Sequence, residues 1–294
     1  MELFQQNSSY IVLEEGDAGT TTNQTQVVSN VSESSSQQPG PTTYKIGDFQ
    51  DLQEIIREIW KNSTAPESEY AYAPENTFLE ITTSSWSEKI KIQTIIKSPD
   101  SGESANLKAP QIEFSGEIKG SLLIGNRGDD ILSGSAGWDI IDGGDGNDLI
   151  HGGNGRDILK GGNGSDELHG DFGWNTFASE QDGYSDLIAI KSDQNLFNWM
   201  YGKAENNPNG EKADIIEGLD SVDRIKIIGA STESLSFGVA SAHGVSGIGI
   251  YAGDALEAIY TKGDLSIAQI ANMTSGDASP RAMNNEIISY GQWS

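Results

Sequence analysis

Five aspartates stand nine residues apart, at Asp130, Asp139, Asp148, Asp157 and Asp166, and Asn175 takes the sixth place. Glycines surround each of them. Carboxylates brought together at so regular an interval repel one another unless something positive lies between them. A hard divalent cation does this. Ca²⁺ takes roughly 6–8 oxygens from carboxylates and main-chain carbonyls in a flexible geometry. Mg²⁺ demands a tighter octahedron and keeps its waters, so a carbonyl-rich loop suits it less. Zn²⁺ prefers Cys or His ligands, and residues 125–130 and their five equivalents contain neither.

The aspartates belong to six contiguous units: GNRGDDILS, GSAGWDIID, GGDGNDLIH, GGNGRDILK, GGNGSDELH and GDFGWNTFA. Position 1 is Gly125, Gly134, Gly143, Gly152, Gly161 and Gly170, and position 4 is Gly128, Gly137, Gly146, Gly155, Gly164 and Gly173. Glycine enters left-handed conformations without a Cβ penalty, so two per unit predict a tight loop whose carbonyls turn toward a common centre. Position 8 is always large and apolar: Leu132, Ile141, Ile150, Leu159, Leu168 and Phe177. Positions 7 to 9 therefore read as a short strand with its middle side chain pointing inward. Loop, strand, loop, strand makes one coil, and coils stack at the spacing of paired strands, about 4.8 Å. One edge then stacks Asp130, Asp148 and Asp166, and the other Asp139, Asp157 and Asn175.

This array resembles the RTX, or hemolysin-type calcium-binding, repeats of secreted bacterial proteins, a nonapeptide signature of a parallel β-helix. The resemblance implies a mainly β fold: a right-handed parallel β-roll, calcium-bound. It implies one ion between loops adjacent on an edge, hence three sites with both aspartates (130/148, 148/166, 139/157) and a weaker fourth at 157/175, where Asn175 also reads as the cap of the array. It further implies export through a type I secretion channel, with an uncleaved signal near the C-terminus and calcium-driven folding outside the cell.

Composition bounds the remaining readings. The chain has 294 residues and a formal net charge of −26. Nucleic-acid binding needs a basic footprint, and anionic lipid repels so acidic a surface. There is no cysteine, which excludes disulfides and a thiol nucleophile. No apolar run approaches the ~18 residues that span a membrane. No Lys or Arg precedes Lys45, so the start does not read as a Sec signal peptide.

Around the array the chain divides into further segments. Residues 1–44 are low in complexity, about half Ser, Thr, Asn or Gln, and read as a solvated leader. Residues 45–110 read as a small α+β unit. Asp48 is the expected cap and Asp51 a first-turn acid of a helix that presents Leu52, Ile55, Ile56, Ile59 and Trp60 on one face. Strand-like runs follow at 77–83 and 89–97. Residues 111–124 form an N-terminal capping coil, a half-repeat without the aspartate. Residues 179–294 resemble segments that follow RTX arrays, carried by Asp186-Leu-Ile and ADIIEGLDSVDRIKI at 213–227. They predict short strands and a helix at 265–273 capped by Asp264.

Enzymatic motifs are missing. The three histidines, His151, His169 and His243, are not followed by Glu, so there is no H-E-x-x-H zincin motif. The string Gly244-Val-Ser246-Gly247 misses G-x-S-x-G by one place. The reading is thus a non-enzymatic calcium-binding protein of the cell surface or matrix, its surface partner not named by the sequence. Two alternatives stand beside it: an enzyme or toxin with its active domain in the flanks, and an adhesin using Trp199, Tyr201 or Tyr251. His151 and His169, both at position 9, are expected to stack on the outer face. Position 7 also faces outward yet is apolar at Ile131, Ile140, Leu149 and Ile158, so the 45–110 unit or the C-terminal segment, or alternatively a second copy of the chain, is expected to cover one of the two strips.

Overall fold

The computed structural model describes residues 10–11, 41–46, 52–63, 70–74, 76–82, 87–98, 102–109, 119–179, 181–192 and 212–282. The leader therefore lies outside the described residues except at 10–11 and 41–44. Asp48, Asp51, Trp199 and Tyr201 also lie outside them, as does most of the capping coil at 111–124.

The chain is mainly β, and its centre is a parallel β-roll. Two walls of parallel strands face each other. In the first, Lys119–Arg127, Ile140–Asp145, Ile158–Asn163 and Thr176–Ala178 lie side by side. In the second, the strands are Ile131–Ser133, Leu149–His151 and Glu167–His169. Leu122 pairs with Ile140, Ile140 with Ile158, and Ile158 with Thr176, so each coil advances the sequence by 18 residues. The second wall keeps that step from Ile131 to Leu149 to Glu167. Two-residue strands at Ala136–Gly137, Asn154–Gly155 and Phe172–Gly173 tie the turns of one edge into a small third sheet.

Alternation along each short strand fills the roll. All six position-8 side chains are fully buried and share one core. Burying a Leu, Ile or Phe contributes roughly 1.5–3 kcal/mol, so each nine-residue unit adds one such increment against the ordering cost of its glycine-rich backbone. That is a thin margin for an array with so little else to bury.

Both walls run on past the repeats. The first is extended by Ser87–Lys97, Thr77–Thr82 and Thr42–Ile46 on one side, and by Asp214–Glu217 and the hairpin strands Ala255–Thr261, Val245–Ala252 and Leu235–Ala242 on the other. The second is extended by Asn106–Lys108, and then by Leu187–Lys191, Arg224–Ile228 and Thr274–Asp277. The helix α1, Leu52–Lys61, lies on the outer face of the first wall. Its Leu52, Ile55, Ile56, Ile59 and Trp60 are buried, in one cluster with Ile140 and Ile158. The apolar strip at position 7 of that wall is thus covered from outside. Its counterpart on the second wall is less covered among the described residues, with Ile131 40% exposed and Leu149 half-buried.

The C-terminal helix α2 spans Ile267–Met273. Its cap is Ser266 and not Asp264. The Ser266 hydroxyl accepts from the Gln269 amide, and the Gln269 side chain accepts from the Ser266 amide. This reciprocal box satisfies two end donors at once, which a carboxylate two residues earlier does not reach.

Candidate metal centres

The repeated aspartates form two ladders. On one edge the Asp130 amide donates to Asp148 Oδ1 at 2.7 Å, and the Asp148 amide to Asp166 Oδ1 at 2.8 Å. On the other, the Asp139 amide donates to Asp157 Oδ1 at 2.8 Å, and the Asp157 amide to Asn175 Oδ1 at 2.9 Å. The structure thus brings together the residues that the nine-residue spacing pairs. One carboxylate oxygen of each holds the coil before it.

The second oxygen has a different fate at different rungs. Asp130 Oδ2, Asp148 Oδ2 and Asp157 Oδ2 are buried and have no hydrogen-bond partner. A buried polar atom left unmatched is costly, about 1–3 kcal/mol and more when charged. Asp139 Oδ2 is instead satisfied by the amide and hydroxyl of Ser135. At Asn175 the place of the second oxygen is taken by an amide nitrogen, which donates to Gly170 O at 2.9 Å.

Electrostatics agree with these geometries. Burial pushes the Asp130 and Asp139 carboxyls up, against the hydrogen bonds they accept. Burial raises Asp148 to about 7, helped by the charges of Asp130 and Asp129. Asp157 is raised well above the ordinary carboxylate range by burial and by Asp139. Without a cation, these groups resist ionising where they stand.

Position 1 explains the glycines, and corrects one expectation. Left-handed backbone occurs at position 4 in five units (Gly128, Gly146, Gly155, Gly164 and Gly173), and at position 2 in five: Asn126, Gly144, Gly153, Gly162 and Asp171. It does not occur at position 1. Glycine is required there for space. A Cβ on Gly125 would lie 2.7 Å from Asp130 Oδ2 and even closer to Gly143 O. A Cβ on Gly152 would lie 2.7 Å from Asp157 Oδ2 and 2.8 Å from Gly170 O. Gly134 and Gly143 meet the same pair of oxygens, the carboxylate of their own turn and the position-1 carbonyl of the next coil. Each absent Cβ therefore leaves a small cradle where carboxylate and carbonyl oxygens converge.

Among the described residues, no group of three or more His, Asp or Glu side chains could hold a metal by side chains alone. Any ion in these turns must take main-chain carbonyls as well, which suits Ca²⁺.

The ladders continue where the nine-residue spacing fails. The Asp166 amide donates to Asp186 Oδ1 and the Asp186 amide to Asp223 Oδ1, both at 3.0 Å. The Asn175 amide donates to Asp214 Oδ1. At the other end, the Ala105 amide donates to Asp130 Oδ1 and the Ser121 amide to Asp139 Oδ1. The repeat pattern alone misses Asp186, Asp214 and Asp223. Their only signal is an aspartate two residues before a buried isoleucine, as at Asp186-Leu-Ile188, Asp214-Ile-Ile216 and Asp223-Arg-Ile225. Asp186 Oδ2 accepts from Ser179 Oγ and Asp223 Oδ2 from the Asp220 amide, so these two rungs do not leave a second oxygen unmatched.

His151 and His169 do stack, with ring centroids 4.5 Å apart. His169 meets Glu167 at 2.8 Å and His151 meets Asp171 at 3.4 Å. Tyr251 packs at the margin of a small core with Leu256 and Ile259. A groove of about 1010 Å³ lies between the second wall and α2, lined in part by Arg224, Lys226, Gln269 and Asn272, and no histidine lines it. No helix among the described residues is long and apolar enough to cross a membrane.

Comparison with known proteins agrees with the geometry. Residues 121–150 and 151–182 match the family described as RTX calcium-binding nonapeptide repeat (4 copies). No curated protein and no solved structure matches the chain. The stacked turns of residues 121–182 are an array of RTX calcium-binding nonapeptide repeats.

Proposed function

We propose that the chain is a secreted, non-enzymatic protein of the cell surface or extracellular matrix, whose roll folds when calcium fills its turns. The observation that carries this reading is the set of orphaned oxygens Asp130 Oδ2, Asp148 Oδ2 and Asp157 Oδ2, each converging on a glycine carbonyl of the next coil. Ca²⁺ would neutralise the carboxylates and match those oxygens together. Asp130, Asp148 and Asp166 would hold ions on one edge, with carbonyls from the turns of Gly125, Gly128, Gly143, Gly146, Gly161 and Gly164. Asp139 and Asp157 would hold an ion on the other, with carbonyls from the turns of Gly134, Gly137, Gly152 and Gly155. Asn175, its amide turned onto its own loop, would end the ion sites on that edge, although the amide ladder runs on to Asp214.

Binding to the folded form alone is folding free energy. Low cytosolic calcium would leave the array unfolded for passage through a type I secretion channel, and external calcium would then fold it. The missing catalytic motifs support the non-enzymatic reading. The test is far-UV circular dichroism of the chelator-treated chain, titrated with Ca²⁺ and separately with Mg²⁺. A cooperative gain of β signal with Ca²⁺ alone is expected. An identical spectrum with and without Ca²⁺ would remove calcium as the folding switch.

A further inference from the structure

Sheet edges invite pairing, because their outward amides and carbonyls lack partners, and proteins blunt them with short strands or charged side chains. Most edges here are blunted. At the ends of the two walls, Tyr10–Ile11 has two residues, Asn106–Lys108 has three and carries a lysine, and Thr274–Asp277 has four and carries an aspartate. The edges of the third sheet are two residues each.

Leu235–Ala242 is different. It has eight residues, ends the order of the first wall, and pairs only with Val245–Ala252 among the described residues. Its sequence LSFGVASA holds no charge. The uncharged stretch runs from Ser234 to Gly253, in a chain of which 21% is charged. The strand is open at its middle, although Leu235 and Phe237 pack against the core that holds Ile270 of α2 and Ala240 is buried. Val239 is 83% exposed, and a Cβ on Gly238 would meet nothing within 4 Å.

We infer that Leu235–Ala242 is a docking edge for a second copy of this chain, pairing antiparallel with itself about a two-fold axis near Gly238 and Val239. Two arguments select the second copy. An antiparallel strand is complementary to its own two-fold image, since each outward donor meets the equivalent acceptor. And two chains of net charge −26 repel each other over most of their surface, so the uncharged edge is where they can touch. A basic partner would be selected by acidic side chains, and this edge offers none. Eight residues span about 27 Å of strand, enough to join the first walls of the two copies into one sheet.

The test is sedimentation velocity of the full chain in saturating Ca²⁺, over a range of concentrations. The wild type is expected to form a dimer. Val239→Lys places like charges across the axis and is expected to weaken the dimer about tenfold or more. An equal mixture of Val239→Lys and Val239→Glu is expected to restore it, which a general folding defect would not. Ser241→Lys, also at an exposed position, is the second variant should Val239→Lys fail to fold. A wild type that stays monomeric overturns the inference, as does a dimer that survives both lysine variants. A chain that dimerises only after removal of residues 283–294 also overturns it, because its own tail would then be the occupant.

Discussion

The main-chain amide of Asp130 donates to Asp148 Oδ1 at 2.7 Å, while Asp148 Oδ2 is buried without a hydrogen-bond partner. One side chain thus performs two separable tasks. Oδ1 sets the stacking of coils, and Oδ2 is left for a cation. Asn keeps an oxygen for the first task and removes the charge needed for the second. Asp148→Asn is therefore expected to raise the calcium midpoint of folding about tenfold or more, since contacts to a charged group count for roughly 1.5–3 kcal/mol. The metal-free roll should become easier to fold, because burial already disfavours the ionised carboxyl of Asp148. Asp139→Asn should act more weakly on calcium, as Asp139 Oδ2 is already met by Ser135. Calcium titrations followed by circular dichroism measure all three. Equal midpoints for the two variants would break the link between orphaned oxygen and site.

Two glycine variants separate the calcium cradle from the stacking of coils. Gly143 does not have a left-handed backbone, but a Cβ there collides with Asp148 Oδ2 and Gly161 O. Gly143→Ala is expected to abolish most of the calcium response by filling the cradle. Gly162 has φ 107°, where a side chain costs about 1–3 kcal/mol in strain, and a Cβ there would also collide with Gly144 O of the coil before it, away from the carboxylates. Gly162→Ala should lower the melting temperature even at saturating calcium. Thermal melts at several calcium concentrations distinguish a shifted calcium dependence from a uniform loss.

The roll was legible because its chemistry and its core repeat together. One spacing places Asp130 over Asp148, and the same spacing places Leu132 over Ile150 and Leu168. The left-handed positions were less legible. Position 2 is Gly in three units, but Asn126 and Asp171 adopt the same backbone in two others. Both are residue types that tolerate that region, so composition does not mark it. The rungs at Asp186, Asp214 and Asp223 were hidden by spacing. The second wall advances 20 residues from Glu167 to Leu187 and then 37 to Arg224, so no fixed period finds them. The cover on Ile140 and Ile158 comes from α1 of the 45–110 unit; its apolar stripe and the need for a cover are legible, but the sequence does not say which of the two strips it takes.

Position 5 carries a second, aromatic ladder along the edge of Asp139 and Asp157. Arg156 lies 4.8 Å over the Trp138 ring and 3.5 Å over the Trp174 ring, and Trp174 stacks on His243 at 3.8 Å. His243 sits in the hairpin turn with φ 53°, so this column ties the repeats to the C-terminal hairpin. A double-mutant cycle of Arg156→Ala and Trp174→Ala should give a coupling of about 0.5–2 kcal/mol. Chemical denaturation at fixed calcium measures it. Strict additivity would mean that the column is proximity without energy.

Lys191 and Asp171 form a buried ion pair at 2.8 Å, with side chains 2% and 6% exposed. Lys191 also lies 4.3 Å over the Phe172 ring, and His151 approaches the same carboxylate at 3.4 Å. Burial alone would raise the Asp171 carboxyl, but the His151 contact and the Lys191 charge outweigh it and hold it well below the usual range. A depressed carboxyl contributes stability above its unfolded value of 3.8 and loses it as pH falls toward the folded one. Lys191→Met removes the cation and leaves Asp171 buried, which costs about 3–5 kcal/mol for such pairs. That cost is expected in full at neutral pH. It should shrink in acid below about pH 4, where Asp171 of the variant can take a proton. Denaturation of both proteins across that pH range, in saturating calcium, measures the difference. A penalty that stays constant with pH would assign the loss to packing on Phe172 and not to the charge.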